Sequence, residues 1–145
     1  LHYLLEENRA SLISEHAYQL EPKPQGAIDD GLTEILSIDQ AGHFLTLERS
    51  FGLQGFKVKL FQAASGAASD TSTVKSLRGE LQGVQPIRKR LLVDLNELGI
   101  DLDNFEGMTF GARLPDGSQS LILVSDDNFN TFTQVTQFLL FRLTG

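Results

Sequence analysis

The side chains in this sequence with most chemical potential are carboxylates placed at the ends of short apolar runs. Leu121-Ile122-Leu123-Val124 passes directly into Ser125-Asp126-Asp127-Asn128-Phe129, and Asn104-Phe105-Glu106-Gly107-Met108-Thr109-Phe110-Gly111 sets Glu106 at the head of another run. A short run, partly β-branched and ending in turn formers, reads as a strand buried on both faces. Between the two lies Leu114-Pro115-Asp116-Gly117-Ser118, where proline presets φ and glycine accepts a positive one. The spacing therefore predicts a hairpin over 104–129. Antiparallel pairing puts Glu106 at the same end as Asp126, Asp127 and Asn128. Several oxygens at one place suit a hard divalent cation, which could polarise a phosphoryl oxygen and acidify a water. The Asp126-Asp127-Asn128 string is equally an Asx-type turn, with side chains bonded to the local backbone.

The chain that must position these groups has 145 residues and 41% apolar content, enough for one globular core. Its net charge of -7 argues against a nucleic-acid groove, which needs a basic surface. It has no cysteine, which removes disulfides and thiolate metal sites. No apolar run approaches the roughly 20 residues of a membrane helix, and no signal peptide is visible. The sequence opens at Leu1 instead of Met, so a piece of a longer chain is expected. Walker, dinucleotide and Gly-x-Ser-x-Gly motifs are missing. Asp101-Leu102-Asp103 lacks EF-hand spacing and reads as a solvated loop, and His2, His16 and His43 have no ligand spacing.

In chain order, strands are expected at His2–Glu6 and His16–Leu20, with a helix over 4–18 as the rival. Glu21 to Gly31 reads as loop from its prolines and the Asp29-Asp30-Gly31 turn composition. Strands follow at Leu32–Ile38, Phe44–Arg49, Phe56–Phe61, Arg88–Leu95 and Gln137–Leu143, with a mobile loop at 63–73 and a helical turn at Leu95–Leu98.

Two parts of the chain match each other. Thr33-Glu34-Ile35-Leu36 aligns with Phe105-Glu106-Gly107-Met108, and the string from Phe44 to Phe51 aligns with that from Ile122 to Phe129. A meander of three or four strands repeating every 75 residues or so suggests blades of a β-propeller, each needing neighbours to cover its faces. The expected fold is thus all-β, with four-stranded antiparallel blades: a remnant over 1–25, one blade over 26–95 and a final blade over 96–145. In this alignment Glu34 and Glu106 occupy like places on innermost strands, and Glu48 and Asp126 like places on second strands. All four would then meet at one channel mouth. Arg49 is the candidate to hold a substrate anion through its planar fork, or to lock the channel wall by pairing with Glu48 or Glu34. Lys89 is a second anion-binding candidate, on an outer strand.

At these residues the chain resembles the phytase-like β-propeller family, often labelled esterase-like phytase domains. The strings that carry the resemblance are Gly31-Leu32-Thr33-Glu34-Ile35, Leu45-Thr46-Leu47-Glu48-Arg49, Arg88-Lys89-Arg90-Leu91-Leu92, Asn104-Phe105-Glu106-Gly107-Met108 and Ser125-Asp126-Asp127-Asn128-Phe129. The resemblance implies a multi-bladed propeller with a calcium-supported polar site, hydrolysis of a small phosphorylated or ester substrate, and export to the periplasm or outside the cell. Only the C-terminal part of such a ring is matched, about two blades of the four or more a closed ring needs. Self-association, or pairing with the remainder of a propeller, is expected. The reading from residues and resemblance together is a metal-assisted hydrolase with catalytic Glu34, Glu106 and Arg49. Glu48, Asp126, Asp127 and Asn128 would hold the metal, with Arg49 and Lys89 on the substrate. The rival is a non-catalytic binding or scaffold module.

Overall fold

The computed structural model describes residues 1–79, 82–130 and 132–144. The chain is all-β. Strands β1 (His2–Glu6) and β2 (Arg9–Ser14) form a hairpin; β3 (Ala27–Ser37), β4 (His43–Gly52), β5 (Gly55–Ala64) and β6 (Arg88–Asp94) form a four-stranded sheet; β7 (Phe105–Arg113), β8 (Gln119–Ser125) and β9 (Phe138–Leu143) form a three-stranded one. Every pairing is antiparallel between sequence neighbours. The sheets stack without closing, as consecutive propeller blades do.

The core lies between the two larger sheets. Leu45, Leu47, Val58 and Leu60 on one face of β4 and β5 meet Phe105, Met108, Leu121 and Leu123 of β7 and β8, with Leu95 of the short 3-10 helix Leu95–Leu98 beneath. Alternation explains the selection. Residues opposite one another in register share a face, so Leu47 with Leu60 and Arg49 with Val58 all turn toward the next sheet. Glu48 and its partner Lys59 turn away from it.

Four expectations about the chain's elements change. The second strand is Arg9–Ser14, because Glu7 and Asn8 alone make the turn; neither a strand at His16–Leu20 nor a helix over 4–18 forms. Residues 15–21 instead run as an extended strap over the four-stranded sheet. The Glu15 carbonyl accepts from the Thr71 amide at 2.7 Å, and the Ala17 carbonyl from the Ile87 amide at 2.8 Å. That contact buries Thr71, so part of the loop expected to be mobile is pinned. Strand β3 begins at Ala27, since the long β4–β5 hairpin offers Phe51, Ser50 and Arg49 as partners for Asp29, Asp30 and Gly31.

The repeat is also displaced by one residue. Each sheet has a bulge at the same place: Thr33 is the extra residue between the Leu32–Glu48 and Glu34–Leu47 pairs, and Glu106 the extra one between Phe105–Ser125 and Gly107–Val124. Thr33 is therefore the counterpart of Glu106, and Ser125 that of Glu48. A slip of one residue moves a side chain to the other face, so the four acids do not occupy matched positions.

Candidate functional site

Two polar groups sit on opposite sides of the four-stranded sheet, because Glu48 and Arg49 are adjacent in β4 and point to opposite faces. On the strap side, the Glu48 carboxylate is buried at 7% exposure. It accepts from the Tyr18 hydroxyl at 2.8 Å, from the Glu21 amide at 3.0 Å and from Lys89. Lys89 also pairs with Glu21 at 3.1 Å and lies 4.5 Å from the Phe61 ring centroid. Lys89, the anion-binding candidate on the outer strand β6, thus reaches back across the sheet into a buried pair. Burial pushes the Tyr18 hydroxyl above the ordinary phenol range; its donation to Glu48 adds to the rise, and its bond to Thr46 opposes it.

That raised value gives a pH dependence. The folded state keeps the Tyr18 proton to higher pH than the unfolded chain, whose phenols titrate near pH 10. The stability this represents is complete below about pH 10 and is lost as pH rises through the folded value. The melting temperature is therefore expected to fall more steeply above pH 10 in the parent than in Tyr18→Phe. Equal slopes in alkaline melting curves would count against it.

On the other side, Arg49 enters the seam between the sheets. Its Nη1 donates to the Asn104 side-chain oxygen and lies 3.4 Å from Glu106 Oε1, while Nη2 donates to Asp29 Oδ2 at 3.0 Å. The guanidinium stands 5.8 Å from the Phe56 ring centroid, and Phe56 packs on Phe51 at 4.6 Å. The Arg49 side chain is 14% exposed. Its Nε is fully buried and, among the described residues, has no partner. A buried donor left unsatisfied costs stability. A pocket of about 390 Å³ opens here, walled by Asp29, Arg49, Phe51, Phe56 and Asn104 and by Asn128, Asn130, Thr133 and Gln134 of the β8–β9 connection.

Asp103 fixes that connection. The reading of Asp101-Leu102-Asp103 as a solvated loop fails at its last residue, which is 7% exposed. Asp103 accepts from the amides of Asn104 and Val135, each at 2.7 Å, and from Gln134 Nε2 at 3.2 Å. The Asn104 carbonyl accepts from the Asp126 amide at 3.0 Å. Asp29, Asp103 and Asn104 were not picked out from the sequence, because turn-like composition hid the first two and an amide next to an apolar run carries no signal.

Of the sequence-derived candidates, Arg49 and Glu106 come together. Asn128 lines the pocket with Arg49, while Glu106 touches it only through the guanidinium. Glu34 accepts from the neighbouring Ile35 amide at 2.8 Å. Glu48 and Lys89 face the strap. Asp126 and Asp127 cap their own turn, accepting from the amides of Asn128 and Phe129, each at 2.9 Å. A calcium ion needs six to eight oxygens. No three histidine or acidic side chains gather in a metal-holding group among the described residues. The Glu48 and Asp126–Asp127 carboxylates are already taken by a lysine, a tyrosine and backbone amides. These residues alone do not fit the ion.

A family model described as phytase-like, esterase-like activity of phytase, matches residues 1–129. No curated protein and no solved structure matches the chain significantly. Among the described residues no helix is long and apolar enough to cross a membrane.

Proposed function

The chain belongs to the phytase-like family, and from that premise we propose that it contributes the reactive pocket of an exported ester or phosphoester hydrolase centred on Arg49 and Glu106. The observation that carries the reading is a guanidinium that lines a 390 Å³ pocket and is held there between Asp29, on the pocket wall, and Glu106 beside it. Asn104 and the buried seam set its orientation. Among the described residues Nη2 is held only by Asp29, whose side chain is 65% exposed. A substrate oxygen can displace that exposed partner and take the donor.

The step follows from these placements. Glu106, 40% exposed, is open to water and takes a proton as the water oxygen bonds to the acyl carbon or phosphorus. Negative charge grows on the substrate oxygen, where Arg49 Nη2 donates. The bond to the leaving oxygen then breaks with its electron pair, and that oxygen receives the proton from Glu106. The products are an acid and an alcohol. The stacked but unclosed sheets need further blades on their free faces, from the rest of a longer chain or from further copies.

Arg49→Lys tests the reading. Lysine keeps the charge but loses the planar fork that reaches Asn104, Glu106 and a substrate oxygen together. Turnover of p-nitrophenyl acetate or p-nitrophenyl phosphate is expected to fall about 10²–10³-fold, the loss usual for one oxyanion donor. Unchanged turnover of both would remove Arg49 from the mechanism.

A further inference from the structure

The charges around Arg49 say what kind of substrate fits. Its single positive charge faces two carboxylates, Asp29 at 3.0 Å and Glu106 at 3.4 Å. Arg49 is the only cation among the described residues lining the pocket. The immediate site is therefore net negative at neutral pH. A dianionic phosphoryl group, which offers only acceptors, would enter against that charge. The rest of the wall is of a different kind. Asn128 and Asn130 carry amides that both donate and accept, Thr133 carries a hydroxyl that does the same, and Gln134 braces this wall by accepting from Asn128 and donating to Asp103. The Phe51 and Phe56 rings, 4.6 Å apart, supply an apolar surface beside them. Groups of mixed donor and acceptor character match hydroxyls, which have the same dual character, and an aromatic surface matches the C–H face of a sugar ring.

We propose that this pocket takes a neutral acylated saccharide, holding its hydroxyls on the amide wall and its ester carbonyl on Arg49. The proposal rests on the hydrolase reading for the ester end and on the wall's own chemistry for the sugar end. Hydrolysis would break the acyl C–O bond and release a carboxylic acid and the free sugar, with water the only co-reactant.

The experiment titrates the assembled protein with methyl glucoside and, separately, with inorganic phosphate, following the side-chain amide signals of Asn128 and Asn130 by NMR. Saturable shifts with the glucoside at millimolar concentration and none with phosphate are expected. Turnover of 6-O-acetylglucose should exceed that of glucose 6-phosphate at least tenfold in kcat/KM. Asn130→Ala, at an exposed position, should raise KM for acetylglucose several-fold; an unchanged KM would take the sugar off the amide wall. Shifts with phosphate but not glucoside, or faster turnover of the phosphate ester, would overturn the proposal. If Arg49→Lys abolishes turnover but no saccharide binds, the hydrolase reading stands and the saccharide falls. Saccharide binding without any turnover supports the pocket and sinks the hydrolase reading.

Discussion

Glu48→Gln is expected to lower the unfolding free energy by about 3 kcal/mol, at the low end of the 3–5 kcal/mol typical of breaking one side of a buried ion pair. The reason lies in what is left behind. Glu48 and Lys89 have side chains only 9% and 13% exposed. Glutamine would keep one acceptor for Tyr18 or Lys89 but would turn an N–H toward the Glu21 amide or the lysine, setting donor against donor. Lys89 would retain Glu21 at 3.1 Å and the Phe61 and Tyr18 rings, which is why the loss falls at the low end. For a chain of this length that corresponds to a melting temperature lower by about 6–12 °C. Replacing both partners by apolar residues, Glu48→Leu with Lys89→Met, should recover most of it, since two matched charges removed together leave nothing unpaired. A single substitution costing no more than an exposed pair, under about 1 kcal/mol in urea unfolding, would mean that the carboxylate does not clamp the strap.

That clamp also marks where sequence reasoning stops. The strands from β3 to β9 were legible wherever a local pattern encoded them, as in the alternation of Phe56-Lys57-Val58-Lys59-Leu60-Phe61 or the Pro-Asp-Gly turn at 115–117. The pairing of Lys89 with Glu48 has no such trace. It depends on register across two strand pairs, with Ala63 opposite Lys89 and Glu48 opposite Lys59, and a residue's neighbours two strands away leave no mark on its own surroundings. Asp29 was hidden differently. Asp-Asp-Gly is turn chemistry by composition, and it becomes strand only because a ten-residue partner, β4, reaches that far. Arg49 was legible as a cation beside an acid at a strand end. Its partners were not: Asn104 and Glu106 come from the other sheet's segment, and Asp29 from a stretch of its own sheet that reads as a turn. The acidic ring inferred from the repeat depended on matching Glu34 to Glu106, one residue out of phase: both sheets bulge at the same place, and the pairing there sets Thr33, not Glu34, against Glu106.

The same bulge makes Glu106 the position with the largest expected effect on rate. As the extra residue between the Phe105–Ser125 and Gly107–Val124 pairs, it is released from the regular alternation and re-aimed, a common use of bulges beside active sites. The backbone next to it is tightly held. A Cβ on Gly107 would come within 2.7 Å of Val124 Cγ1, so a side chain at 107 would crowd Val124. Glu106→Gln keeps size and one acceptor but cannot take a proton. It is expected to lower turnover of ester substrates by about 10²–10⁴-fold, the range usual for a lost general base. Its ion pair with Arg49 is long and its side chain 40% exposed, so the stability change should stay below about 1 kcal/mol. Kinetics and thermal melting on the same preparation separate the outcomes. A large rate loss at constant melting temperature supports proton transfer at Glu106. A matched fall in both would instead make the residue a brace for Arg49, and an unchanged rate would move the base elsewhere, with Asp29, the other carboxylate on the guanidinium, the next to replace.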